Sequence, residues 1–342
     1  MDIRLLLRSL CAALLIALAS ALSAQPQVPG DDLSPGLPSA LESEAPGFEA
    51  IDFELQDGQR GREVPLRLYW PKAVAADARL PLVVFSHGLG GSRQGYSYLG
   101  QYWASQGVAA LHVQHVGSDR RIWMGNPLGL VSRLQDAAQA AEAEARALDV
   151  RFALDHLLDS ERGARIDRER IAVAGHSYGA NTSLLLAGAR VARTGDGPGG
   201  DAAAPLRDPR IKAAILISAP PFHGHADTAA IVGAIRIPTL HITATEDVIR
   251  VPGYYSEAAD RVALFEATGS ASKELVVFAG GSHSIFTDRA GTGGLLLNPR
   301  VKAATRELTL AFLNKVFEGR EDGLRSWIQR HADLIARIWR AS

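Results

Sequence analysis

Arg170-Ile171-Ala172-Val173-Ala174-Gly175-His176-Ser177-Tyr178-Gly179-Ala180-Asn181-Thr182-Ser183-Leu184-Leu185-Leu186-Ala187 is the stretch that decides the fold. A short apolar run of strand type enters a G-x-S-x-G pentapeptide, and an Ala/Leu-rich helical run leaves it. Strand, tight turn and helix in that order are the context of a nucleophile elbow. The turn is so sharp that Ser177 is expected at strained backbone angles, with Gly175 and Gly179 removing side chains that would collide there. Ser177 is then presented at the carboxyl end of a strand, above the positive N-terminus of the following helix. Alone, such a pentapeptide is also compatible with a glycine-rich turn holding an incidental serine. The rest of the chain must supply partners.

A serine hydroxyl is a weak nucleophile at neutral pH and needs a general base, which in turn needs an orienting acid. On this kind of sheet the chain order is Ser, then Asp or Glu, then His. Pro238-Thr239-Leu240-His241-Ile242-Thr243-Ala244-Thr245-Glu246-Asp247 is a late strand with carboxylates at its end. Neighbours in extended chain point opposite ways, so one of the two faces the site; Asp247 is the candidate and Glu246 its rival. The base is expected after the last strand, where Leu275-Val276-Val277-Phe278-Ala279 leads through Gly280 and Gly281 to His283. Of ten histidines, His283 is singled out by that position. His112, His115, His223, His225 and His331 read as structural or surface residues, and His176 as a support for the turn. No helical H-x-x-x-H or HExxH spacing occurs, so no catalytic metal is expected.

The third requirement is a pair of backbone N–H groups aimed at the charge that develops on the substrate carbonyl oxygen. Tyr178, just after the serine, is one expected donor. The other is Leu89, in His87-Gly88-Leu89-Gly90-Gly91 after the apolar strand Leu80–Ser86, two strand units before the elbow.

Around these positions, apolar strands alternate with helices: Leu80–Ser86, Val108–Val113, Ile211–Ser218, Ile237–Ala244 and Leu275–Ala279, with helical pattern over Tyr98–Gln106, Asp136–Ser160 and Pro299–Phe317. Strands apolar throughout describe a mostly parallel sheet covered on both faces, an α/β fold. Phe48–Phe53 and Val64–Trp70, joined by Gln56-Asp57-Gly58-Gln59-Arg60-Gly61, read as an antiparallel hairpin at one sheet edge. Residues 118–134 lie where active-site loops sit, and are either a substrate wall or a packed surface loop. Gly195–Asp208 reads as a surface loop. Leu324–Trp339, the core of a stretch taken as 324–340, carries an apolar stripe and reads as a C-terminal amphipathic helix packed on the domain, with a membrane-surface or dimer role as the alternative.

Met1-Asp2-Ile3-Arg4 and Arg8 form a basic start, Leu10–Leu18 an apolar centre, and Leu22-Ser23-Ala24 a small-residue exit. These are the marks of a secretory signal peptide over 1–24, cleaved after Ala24, with Ala21 as the other candidate and a retained anchor as the competing reading. Cys11, the only cysteine, lies inside it, so the mature chain would hold no disulfide and no thiol chemistry. Residues 25–47 are rich in Pro, Ser, Asp and Gly and read as a flexible leader. One domain over 48–342 follows. Lys+Arg 36 against Asp+Glu 37 leaves a net charge of −1, which gives no electrostatic case for nucleic-acid partners.

At Phe85-Ser86-His87-Gly88-Leu89-Gly90 and Gly175-His176-Ser177-Tyr178-Gly179 the sequence resembles the α/β-hydrolase superfamily. Within that superfamily it is similar to the group of platelet-activating-factor acetylhydrolases and predicted dienelactone hydrolases. Secreted bacterial cutinase-like polyesterases are similar at the elbow. The resemblance implies hydrolysis of small-molecule carboxylic esters through an acyl-enzyme without a cofactor, with Ser177 as nucleophile, His283 as base, and Leu89 and Tyr178 as oxyanion donors. The acetylhydrolases carry their acid after the strand that follows the elbow unit. Here Ile215-Leu216-Ile217-Ser218-Ala219-Pro220 ends without a carboxylate. Asp247, with a proline nine residues before it, instead resembles the position used by dienelactone hydrolases and cutinases. The expectation is a secreted or periplasmic serine esterase; a peptidase on the same triad and a non-catalytic binding protein of the same fold are the alternatives.

Overall fold

The computed structural model describes residues 47–340 apart from 76, 192–205, 223, 226, 252 and 293. The expected signal peptide over 1–24 with Cys11, the expected leader up to residue 46, positions 195–205 of the Gly195–Asp208 loop and His223 lie outside the described residues. From residue 46 on, the chain makes one compact unit.

Along Leu80–Ser86 (β3), Leu82 and Val84 pack into one apolar cluster, and Val83 and Phe85 into another. Period-two burial of this kind arises only when both faces of the sheet are covered. The nine strands run β1 (Phe48–Asp57), β2 (Arg62–Pro71), β4 (Ala109–Val113), β3, β5 (Ile166–His176), β6 (Ala213–Ile217), β7 (Thr239–Glu246), β10 (Lys273–Ser282) and β11 (Ile335–Arg340). The six from β4 to β10 are parallel. The hairpin β1–β2 pairs antiparallel at one edge, and β11 at the other. This is the mostly parallel α/β arrangement that the alternation of apolar strands and helices predicts, and it agrees with the α/β-hydrolase fold that the resemblance implies.

One face is covered by α3 (Ala140–Leu158) and α4 (Tyr178–Ala187), with α5 (Thr228–Val232) and α6 (Ala258–Ala267) beside them. The other is covered by α1 (Ser97–Ser105), α7 (Leu297–Glu318) and α8 (Asp322–Arg330). Strand order reverses between β3 and β5, since β4 lies on one side of β3 and β5 on the other. In open parallel sheets the crevice beyond that reversal, at the carboxyl ends of the strands, is where ligands bind. Both Leu89 and Ser177 follow strands that flank it.

Two local expectations are corrected. The helix read over 324–340 ends at Arg330, and Ile335–Arg340 is a strand paired with β10. Leu324 and Trp327 are buried as the apolar stripe requires, and Trp327 Nε1 donates to Ala304 O at 2.8 Å. Beyond them Ile335, Ile338 and Trp339 keep the i, i+3, i+4 spacing of a helix, yet the open backbone of β10 takes the segment as a strand. A register shift opposite Val277 and Phe278 brings Ile335 and Ile338 to the same apolar cluster. The helix read over 136–160 is two, α2 (Leu130–Ala137) and α3, broken at Ala138-Gln139. A small hairpin, β8 (Ile249–Val251) with β9 (Tyr254–Ser256), follows β7 and had no clear sequence signal. Among the described residues no helix is long and apolar enough to cross a membrane.

Candidate active site

Ser177, between β5 and α4, has φ 55 and ψ −122, a region that side-chain-bearing residues almost never occupy. Close packing holds it there. A Cβ at Gly179 would lie 1.9 Å from the Ser86 carbonyl oxygen, and one at Gly175 would lie 2.2 Å from Gly179 C. Gly179 is therefore required by the approach of β3 to the turn, and Gly175 by the first residues of α4 folding back over the end of β5. The Ser177 N–H donates to Ile217 O of β6 at 2.9 Å.

Asp247 is fully buried just beyond β7, whereas Glu246 is exposed. Asp247 Oδ1 lies 2.7 Å from His283 Nδ1, and Oδ2 accepts from Thr243 Oγ1 at 2.7 Å. Arg261 Nη2, from α6, approaches Oδ1 at 3.3 Å. Burial by itself would raise this carboxyl. The hydrogen bond and charge of His283, with the Arg261 guanidinium, outweigh it and hold Asp247 well below the usual carboxylate range. His283 opens a short 3-10 turn to Phe286 after β10, and Gly280 and Gly281 at φ 72 and 89 swing the chain inward ahead of it. The imidazole is 18% exposed.

His176 joins these groups. Its Nε2 bonds to the His283 carbonyl oxygen at 2.9 Å, and its Nδ1 pairs with the Tyr96 hydroxyl at 2.7 Å. Its ring lies 4.6 Å from that of His283. Burial, then the His283 charge, pulls its pKa down to about 3, so it serves as a neutral bridge. Among the described residues no hydrogen bond joins the Ser177 hydroxyl to His283. Such contacts commonly close only around substrate.

In the loop after β3, Gly90 N–H donates to Ser118 O at 2.8 Å and Gly91 N–H to Gly88 O at 3.0 Å. The Leu89 N–H takes no part in these bonds. Trp123 Nε1 donates to Gly90 O at 3.0 Å, and its ring fills the space that a Cβ at Gly90 would need. Ser118, Arg120 and Trp123 thus bond to this loop, while Trp123, Met124 and Leu128 remain exposed on their outer sides.

Behind the loop runs a second hydroxyl–imidazole–carboxylate series. Ser86 Oγ lies 3.1 Å from His115 Nε2, and His115 Nδ1 lies 3.0 Å from Asp149 Oδ2. All three residues are buried to 1% exposure or less. Burial, then the charges of Arg146, Arg62 and Arg60, drives the His115 pKa far down. Arg62 pairs with Asp149 at 2.9 Å and with Glu142 at 3.0 Å. Arg146, Arg261 and Tyr96 escaped the sequence reading because each acts on residues distant in the chain.

Residues 26–121 match the family model described as platelet-activating factor acetylhydrolase, isoform II. The platelet-activating factor acetylhydrolase of Cavia porcellus is 27% identical over 150 residues, 34% of this chain and 33% of that one. The chain thus spans about a third of the length of the curated relative it matches. Among solved structures, a cold-adapted esterase from an Arctic intertidal metagenomic library, in complex with PEG, is similar at 18% identity. It covers 71% of this chain and 88% of its own, with a TM-score of 0.48. By its sheet and its elbow turn, the chain has the α/β-hydrolase fold.

Proposed function

We propose that this chain is a serine hydrolase that cleaves carboxylic esters through an acyl-enzyme. The observation that carries this reading is the 2.7 Å pairing of buried Asp247 with half-buried His283, whose backbone is tied through His176 to the strained Ser177. The similarity to acetylhydrolases supports the same reaction class.

In this mechanism Ser177 Oγ attacks the ester carbonyl as His283 Nε2 takes its proton. Asp247 holds Nδ1–H and balances the imidazolium that forms. The carbonyl oxygen, now anionic, accepts hydrogen bonds from the Leu89 and Tyr178 N–H groups. Collapse of the adduct expels the alkoxide, which takes the proton from His283 and leaves as alcohol. Water, deprotonated by His283, then attacks the acyl-enzyme; the bond to Ser177 Oγ breaks, His283 returns the proton to that oxygen, and the acid leaves. These steps draw on no cofactor. Residues 1–24 would act as a signal peptide, delivering the enzyme to the periplasm or medium.

The test is turnover of p-nitrophenyl esters from acetate to longer acyl chains, by the full chain and by Ser177→Ala, with stoichiometric labelling by diisopropyl fluorophosphate. Turnover and one label per chain, both lost in Ser177→Ala, are expected. A folded protein that neither labels nor turns over any ester would overturn the proposal in favour of a binding role. N-terminal sequencing of secreted material should begin at Gln25.

A further inference from the structure

We propose that Arg146 is a positioning residue for the oxyanion hole: one buried guanidinium fixes the two N–H donors relative to each other. This rests on the ester-hydrolase reading above and extends it to a residue outside the triad. The two donors come from different parts of the chain, Leu89 after β3 and Tyr178 at the start of α4. Their separation must match one oxygen atom to within a few tenths of an ångström if both bonds are to form.

Arg146 sits on α3 with no solvent exposure. Its Nη2 donates to the His87 carbonyl, two residues before Leu89. Its Nη1 donates to Ser118 Oγ at 2.7 Å, and the Ser118 carbonyl accepts the Gly90 N–H at 2.8 Å. Leu89 is thus held on both sides by groups bonded to the same guanidinium. On the other donor, Arg146 Nε donates to Thr182 Oγ1 at 2.9 Å, and Cζ lies 4.4 Å from the centroid of the Tyr178 ring. The planar fork of arginine reaches all of these at once, which a lysine ammonium cannot do.

The charge has a further use. Among the described residues no carboxylate forms an ion pair with Arg146; its acceptors are a carbonyl and two hydroxyls. Burial lowers its pKa to about 10, so it remains a cation at neutral pH. A buried cation is costly to keep, and the carboxylates act on this one without touching it. Ser118 Oγ, which accepts from Arg146, donates to Glu142 Oε1 at 2.8 Å, and the charges of Glu142 and Asp149 offset part of the burial cost. The anion that forms between Leu89 and Tyr178 in the transition state adds a favourable charge on the side of the guanidinium facing the two donors.

Arg146→Met, Arg146→Lys and Thr182→Val would be compared with the parent enzyme for kcat and KM on p-nitrophenyl acetate. Affinity for a trifluoromethyl ketone would be measured as well, because its adduct with Ser177 carries the oxyanion. Arg146→Met is expected to lose about 10²–10³-fold in kcat, as when an oxyanion donor is removed, with KM within about threefold. Ketone affinity should fall in parallel, and end-point labelling of Ser177 should stay at one per chain. Arg146→Lys should recover only part of the loss. A folded Arg146→Met with parental kcat and ketone affinity overturns the proposal. If that variant does not fold, Thr182→Val decides: an approximately tenfold parallel loss supports the proposal, and unchanged kcat and ketone affinity overturn it. If the parent enzyme neither labels nor hydrolyses esters, it is the ester-hydrolase reading that fails, which separates the two outcomes.

Discussion

Arg261 Nη2 lies 3.3 Å from Asp247 Oδ1, the same oxygen that His283 Nδ1 reaches at 2.7 Å. Arg261 and Asp247 are both buried, so the carboxylate is stabilised from α6 as well as by the imidazole. Removing one partner of a buried pair leaves the other charge uncompensated. Arg261→Met should therefore cost about 3 kcal/mol in urea unfolding at pH 7. Because native Asp247 titrates below its unfolded value, its contribution is complete above about pH 4 and is lost as pH falls. Acid unfolding of Arg261→Met should begin at higher pH than in the parent protein. Equal stability and an unchanged acid midpoint would show that the pair contributes nothing.

The two carboxylates at the end of β7 are separable by substitution. Asp247→Asn keeps the shape but cannot hold His283 in the Nδ1–H form, and kcat should fall by about 10⁴-fold. Glu246 is exposed, and Glu246→Gln should leave kcat within about twofold. Steady-state kinetics on one ester checks both; the reverse ranking would reassign the acid.

Ser177 stores strain that glycine would release. Its backbone conformation costs roughly 1–3 kcal/mol, against about 0.5–1 kcal/mol of extra chain entropy lost by glycine on folding. Ser177→Gly should thus be more stable than the parent by about 1 kcal/mol, raising Tm by roughly 2–4 °C, while losing ester turnover. Differential scanning calorimetry decides it, and a lower Tm would mean that the turn is unstrained.

Buried histidines set the pH range of stability. Burial draws His112, His176 and His241 down to about 3. Between that value and about 6.5 the unfolded chain binds protons that the native state excludes, so stability falls as pH is lowered through this window. Each group contributes a slope of about 1.4 kcal/mol per pH unit there. His241 Nε2 has no hydrogen-bond partner, and the Phe265 ring meets His241 edge-on at 5.3 Å. His241→Phe should therefore flatten the slope between pH 4 and 6 by one such group. An unchanged slope would place this imidazole in contact with solvent.

The elbow, the parallel sheet and the Asp247–His283 pairing could be read from the chain because each rests on local pattern: an apolar run, then a turn, then one polar residue at a strand's end. Arg146 could not. It stands in an Ala/Glu-rich helix, where a charged residue normally faces water, and its partner His87 is 59 positions away. Tyr96 and His176 are 80 positions apart. Residues 335–340 were misread for a related reason, since their strand conformation depends on backbone groups of β10 that only the assembled sheet presents.

The series Ser86–His115–Asp149 has the distances of a reactive triad and the solvent access of a hydrophobic core. An ester cannot reach it, a water cannot be activated there, and a covalent probe has no path to its hydroxyl. Reagent counting on the intact protein should therefore return a single modified serine, with the peptide bearing Ser86 unmodified until the chain is denatured. Reactivity in this molecule is rationed by access, and the sealed series spends the same three side chains on holding a loop still.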